Sequence, residues 1–335
     1  MLQSSPNSDN VSPYISIIIP IYNAEKTLEK CLHAIFNSRY QNFEVLVVDD
    51  GSKDNSLKIA NSFPCNILKL KHNQGASVAR NWGAKNAKGD ILLFIDSDIV
   101  IKSDTLTQFV DSLKSYPAVF GIYSQKPGVD GLLSLYQNFY AHKSIKETKE
   151  LTSMFYSYCA AIKKEIFDKV GGFDESWVRA TFEDVEFGIR VTEKGHQIYL
   201  NKDIRVIHYN NYTIRGFIKN YFYKCLDLSK FMFGKKRLTL NNEGWTNYKN
   251  LISFLAGLLT ILFSVPSFLS RWFILPFLFS LVTFLAMNLD FYKFILKEKP
   301  AGLLPAILLN FMVQIISALG IISGQTSYFK EKVLR

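Results

Sequence analysis

The sequence predicts an α/β fold built on a mostly parallel, doubly wound sheet, followed by an apolar carboxyl-terminal part. Three observations predict it. Short apolar runs at 14–20, 43–48 and 91–95 each lead into turn-forming or acidic residues. Segments with helical spacing of apolar residues separate these runs, and after residue 250 come three long stretches free of ionised side chains. Unbroken apolar runs suit strands buried on both faces. Strands alternating with helices of this length suit parallel pairing with right-handed crossovers.

In order, Tyr14–Pro20 reads as a buried strand stopped by its proline. Asn23 suits the cap of a helix over about 24–38, in which Leu28, Leu32, Ile35 and Phe36 form the inward stripe. Phe43–Val48 is a second strand, ending in Asp49-Asp50-Gly51-Ser52. Asp54 suits the cap of a helix over 55–63, Ile67–Leu70 is a third strand, and 75–87 a third helix. Ile91–Ile95 is the fourth strand and runs into Asp96-Ser97-Asp98. If the chain stays extended there, Asp96 and Asp98 face one way and Ser97 the other. Acids at the carboxyl end of a parallel strand lie where open α/β sheets bind ligands. Two hard anionic donors favour Mg2+ or Mn2+ shared with phosphate oxygens. An ordinary turn after a strand uses the same residue types. Val119–Ser124 reads as an edge strand, and the mixed charges of 143–150 as a solvated helix face.

Taken together, Ser16–Asn23, Val47–Ser52, Asn73-Gln74-Gly75 with Ala79-Arg80-Asn81, and Asp96-Ser97-Asp98 resemble the family-2 glycosyltransferases of the GT-A fold. The resemblance covers about residues 14–210 and implies a nucleotide-sugar donor, a divalent metal (Mg2+ or Mn2+) and inversion at the anomeric carbon. It implies that Pro20, Tyr22 and Asn23 line the nucleotide pocket beside Asp49. It also implies that Asp50 accepts from a uracil or guanine N–H, that Arg80 approaches the diphosphate, and that Asp96 and Ser97 lie near the ribose. Asp98 would be the direct metal ligand.

Gly171–Trp177 and Phe182–Arg190 resemble the family's later Glu-Asp motif at the start of a helix that runs to about Lys194. The resemblance implies that Asp184 is the general base, with Glu183 beside it at the acceptor hydroxyl or behind the base. A helix-start acid with no chemistry would look the same. Trp177 is a candidate wall for an acceptor sugar or a packing residue. His208 ends an apolar strand and is a candidate further metal ligand or a structural histidine.

The formal charge of +10 is local. Residues 202–249 hold 10 Lys/Arg against 3 Asp/Glu, and residues 250–335 hold 7 against 3. Basicity beside an apolar region argues for a membrane surface and against nucleic acid. The segment 211–249 mixes aromatic and basic residues, as a headgroup-level segment does. Leu251–Leu269, Phe273–Leu289 and Ala301–Ile322 read as about three transmembrane helices within 250–325, leaving a tail at 326–335. Residues 1–12 read as a disordered, polar start without a signal pattern, so 13–210 form the GT-A domain on the cytosolic side of the cell membrane. Cys31, Cys65, Cys159 and Cys225 have no metal or redox spacing.

The expected activity is transfer of a sugar from a UDP- or GDP-sugar to a hydroxyl of a lipid-linked acceptor. Two other readings stay open: transfer to a polyprenyl phosphate, and a membrane protein that binds or transports nucleotide sugars without turnover.

Overall fold

The structure is a computed structural model that describes residues 12–177, 179–234 and 248–333. Most of the predicted disordered start, and residues 235–247 of the basic aromatic segment, lie outside these residues.

The elements run β1 (Ile15–Ile21), α1 (Leu28–Phe36), β2 (Phe43–Asp49), α2 (Ser56–Ala60), β3 (Asn66–Lys69), α3 (Ala76–Asn86), β4 (Ile91–Ile95) and β5 (Ile99–Val100). Then come α4 (Thr105–Leu113), β6 (Ala118–Tyr123), α5 (Leu132–Lys146), β7 (Leu151–Thr152), β8 (Cys159–Lys163), α6 (Lys164–Val170), α7 (Glu183–Glu193) and β9 (Ile198–His208). Among the described residues the α-helices that follow are α8 (Ile214–Gly234), α9 (Tyr248–Leu269), α10 (Ile274–Met287), α11 (Leu289–Glu298) and α12 (Leu303–Val333).

The sheet order is β3-β2-β1-β4-β8-β6-β9-β5, with β7 on β9. β1 pairs parallel with β2 and β4, and β2 pairs parallel with β3. The other half is antiparallel where β8 meets β4 and β6. The sheet is therefore mixed, where the sequence predicted a mostly parallel one. The expected edge strand at 119–124 is instead interior: β6 lies between β8 and β9 and is buried nearly throughout. Its Gly121 lets Ile204 of β9 approach, since a Cβ there would stand 2.7 Å from the Ile204 carbonyl oxygen. Asn23 is not a helix cap. It has a φ of +52°, its Oδ1 accepts from the Lys53 amide, and α1 begins only at Leu28.

The described chain forms two compact units, residues 12–122 with 150–206, and residues 123–149 with 207–333. The sequence placed 13–210 in one domain; the structure groups α5 with the carboxyl-terminal helices. In that second unit Leu135, Tyr136 and Phe139 of α5 share a core with Phe217 of α8, Phe291 of α11 and Leu309 of α12. Asn310 is fully buried there, accepting from Tyr136 Oη at 2.6 Å and donating to Tyr292 Oη at 3.0 Å. A satisfied polar network of this kind fixes one packing of the helices.

α8 packs lengthwise on α12. Gly320 and Gly324 lie one turn apart, and a Cβ on them would stand 2.5 Å from the Phe222 carbonyl and 2.4 Å from the Leu226 carbonyl. Small residues four apart let two helix backbones touch. Gly324→Val is expected to destabilise this helix pair by about 1–3 kcal/mol, as overpacking does. Thermal unfolding of the full chain in detergent checks it.

α9 over Lys249–Leu269 and α12 over Pro300–Lys330 are long and apolar enough to cross a bilayer. α10 has 14 residues, about 21 Å at 1.5 Å each, and reaches spanning length only with α11, from which it bends by 58°. The three expected spans are thus two, or three if the bent pair counts as one. α11 is amphipathic: Phe291, Tyr292, Phe294 and Ile295 are buried, while Asp290 pairs with Lys143 at 2.8 Å and Glu298 with Lys126 at 3.0 Å. The exposed side chains of α9 and α10 include large apolar ones, Phe268 being 90% exposed and Phe279 77%. α12 stays helical through the expected tail to Val333.

Candidate active site

The parallel half of the sheet sets the site. At the end of β2, Asp49 is buried and its Oδ1 accepts from the Ser52 amide at 3.0 Å, closing the turn. Asp50 is also buried, and its oxygens accept from the Gln74 and Gly75 amides at 2.7 and 2.9 Å. These bonds fix the start of α3. Gly51 between the turns has φ +81°, and a Cβ would stand 3.1 Å from the Asn73 amide nitrogen, so the position needs glycine.

β4 ends at Ile95, and Asp96 to Asp98 lie in a turn closed by the Ile99 amide donating to the Asp96 carbonyl at 3.0 Å. The alternation expected of an extended strand therefore does not apply there: the chain turns before Asp98 to start β5. Asp96, Ser97 and Asp98 are all half-buried. Cys31 of α1 lies close by, its Sγ 3.7 Å from the Asp96 carbonyl oxygen. Burial first, then the charges of Asp98 and Asp96, push its thiol well up, and burial does the same to Cys159. Both stay protonated and inert.

Arg80 on α3 is buried, with NH2 donating to Asp96 Oδ1 at 2.9 Å and NH1 to Glu183 Oε1 at 2.8 Å. Burial works against its charge, but Asp96 and then Glu183 outweigh that and hold the guanidinium protonated. The resemblance implied a diphosphate contact; both terminal nitrogens are instead committed to carboxylates. Glu183 is buried, and Asp184, the next residue, is half-buried. Asp184 Oδ2 accepts from the Ser157 amide at 3.2 Å and its hydroxyl at 3.4 Å, and Oδ1 from the Val185 amide at 2.8 Å. Burial, and next the Glu183 charge, push the Asp184 carboxyl up to about 7 against the pull of Arg80. A carboxylate poised there can exchange a proton at neutral pH.

The sign of that shift gives a stability prediction. The folded chain holds the Asp184 proton more tightly than the unfolded chain does. The resulting stabilisation is full below the ordinary value of 3.8 and is lost as pH rises through about 7. Asp184→Asn, which cannot titrate, is expected to gain thermal stability relative to the wild type between those values. A difference in Tm that stays flat with pH would contradict the shift.

Pro20 is half-buried in β1, and Tyr22 and Asn23 are exposed just beyond it. Trp177 is half-buried, 5.9 Å from the Phe182 ring. His208 belongs to the second unit, where it is buried and stacks on Tyr123 at 4.9 Å. Among the described residues no three His, Cys, Asp or Glu side chains form a ready metal cage.

Sequence reasoning missed Ser157, which orients Asp184 from a loop without a motif, and gave Asn81 no role. The Asn81 side chain clamps Phe173, accepting from its amide at 2.9 Å and donating to its carbonyl at 2.8 Å. Phe173 then lies 5.6 Å under the Arg80 guanidinium. The adjacency of Asn81 to Arg80, together with Gly171-Gly172-Phe173, was the available signal.

Residues 16–171 match the family described as Glycosyl transferase family 2. The chain is 33% identical over 181 residues to glycosyltransferase GlyG of Streptococcus pneumoniae serotype 4, a match that takes in 48% of this chain and 60% of GlyG. It is 28% identical over 206 residues to glycosyltransferase AglE of Haloferax volcanii, covering 58% of this chain and 67% of AglE. In fold it is similar to mannosyltransferase PcManGT from Pyrobaculum calidifontis, solved with GDP-Man and Mn2+, with a TM-score of 0.61 at 18% identity over 93% of this chain and 88% of that one. The match thus spans less than two thirds of GlyG. Residues 16–171 are thus similar to glycosyl transferase family 2, and the fold is similar to that of GT-A-type glycosyltransferases.

Proposed function

We propose that the chain is an inverting, metal-dependent glycosyltransferase that moves a sugar from a UDP- or GDP-sugar to a hydroxyl of a lipid-linked acceptor. One observation carries this reading: the half-buried Asp184 carboxylate at the start of α7 is held in place by the Ser157 and Val185 amides beside the Arg80–Glu183 ion pair, and burial raises its proton affinity. Such a group takes the proton of an acceptor hydroxyl as its oxygen attacks the anomeric carbon. The bond from that carbon to the departing nucleoside diphosphate breaks on the opposite face, so the configuration inverts. An acceptor that is already ionised, such as a polyprenyl phosphate, needs no such base.

The donor lies over the strand ends. Pro20, Tyr22, Asn23 and Asp49 line the nucleotide pocket. Asp50 accepts from the base through lone pairs that its two backbone amides leave open. Asp96 and Ser97 sit at the ribose. Half-buried Asp98 would hold Mg2+ or Mn2+ through its hard oxygens, together with oxygens of the diphosphate. A bound cation supplies Lewis-acid stabilisation of the leaving diphosphate. Trp177 flanks the acceptor. The apolar lengths of α9 and α12 support a membrane anchor that keeps the catalytic unit at the cytosolic surface.

The test supplies the purified full chain, reconstituted in lipid, with radiolabelled UDP- and GDP-sugars and Mn2+. One arm adds a bacterial lipid extract and another adds polyprenyl phosphate alone. The reading expects label to move to lipid in the first arm only. Transfer to polyprenyl phosphate alone, or binding without transfer in both arms, would overturn it.

A further inference from the structure

Arg80 does more than neutralise a strand end. It sits on α3, Asp96 closes β4, and Glu183 opens α7 one residue before Asp184. One buried guanidinium therefore ties a strand end to a helix start, with Phe173 beneath it at 5.6 Å. Arg80 Nε and Glu183 Oε2 are buried with no hydrogen-bond partner among the described residues. The fork is thus neither turned to solvent nor free at its tips, as a phosphate grip requires. Charge-assisted bonds of 2.8 and 2.9 Å fix both acids in place.

We propose that Arg80 is a positioning residue: it clamps Glu183 to Asp96 and so fixes the first turn of α7 that aims Asp184 at the acceptor. The proposal rests on the glycosyl-transfer reading above. Three charged or polar neighbours act on Asp184: Glu183 on its own helix, Arg80 on α3, and Ser157 from the loop before β8. Arg80 favours its ionised form and Glu183 opposes it. The two partners of the clamp therefore move its titration in opposite directions, which a purely structural role elsewhere would not do.

The test compares wild type, Arg80→Gln and Glu183→Gln as full chains in detergent. UDP and GDP binding with Mn2+ is measured by calorimetry, and kcat is measured against pH. For Arg80→Gln, which also frees Asp96 at the ribose, the clamp predicts nucleotide affinity weakened by less than about tenfold and kcat lower by about 100-fold, as for a displaced catalytic group. It also predicts that the midpoint of the kcat profile rises in Arg80→Gln and falls in Glu183→Gln, each by about half a unit or more. Nucleotide affinity weakened about tenfold with an unmoved midpoint would make Arg80 a phosphate ligand and overturn the proposal. If Arg80→Gln does not fold, Arg80→Gln with Glu183→Gln leaves no buried charge from that pair, and the same affinity criterion applies to it. A wild type that binds neither UDP nor GDP would defeat the underlying reading instead.

Discussion

Asp184→Asn is expected to lower kcat by about 10²–10⁴-fold, the usual worth of a general base, while donor affinity stays within about threefold. Asparagine keeps the shape of the side chain, and its carbonyl oxygen still accepts from one of the two amides, Ser157 or Val185, that hold Asp184. What it lacks is the second acceptor oxygen and the ability to take a proton. The loss therefore falls on the chemical step, which single-turnover kinetics with pre-bound donor resolves. Wild-type turnover in Asp184→Asn would remove the base assignment. A large loss of donor affinity would move Asp184 into the donor pocket.

Asp98→Ala is expected to carry the second large effect. Asp98 is half-buried in the turn after β4, and its charge is felt by Cys31. Asp98 lies in the turn after β4 and outside the strands of the sheet, so circular dichroism of the variant is expected to match the wild type. If Asp98 is the direct metal ligand, nucleotide binding loses its Mn2+ dependence and turnover falls by about 10²-fold or more, as when charge stabilisation of a leaving group is withdrawn. Titration of Mn2+ against the nucleotide complex checks this. An unchanged Mn2+ requirement would place the metal elsewhere.

The parallel half of the fold was legible because its strands are apolar on both faces, and Ile15 to Ile19 leave nothing exposed. β8 was not legible: Cys159-Ala160-Ala161-Ile162 is too small and too short a run to stand out, yet it forms the antiparallel joint between β4 and β6. The same joint makes β6 interior. Whether Asp96–Asp98 continue the strand or turn was left open by the sequence, because an apolar run does not show where extension stops. Asp50 was found from its motif, but its bonds to Gln74 and Gly75 come from a loop distant in sequence. Arg80 was singled out for its guanidinium. The two acids that take up that guanidinium lie 16 and 103 residues away, and spacing alone does not pair them. In the carboxyl-terminal part, hydropathy marked the apolar lengths but not the 58° bend between α10 and α11. Gly320 and Gly324 were the unread signal that α8 packs on α12.

The dependence of wild-type kcat on pH, measured from about 5.5 to about 8.5 with saturating donor, reaches the central claim most directly. Proton acceptance by Asp184 predicts an ascending limb with a midpoint near 7, set by burial and the neighbouring Glu183. Turnover that is undiminished and flat across that range would show that no group poised there accepts the acceptor's proton.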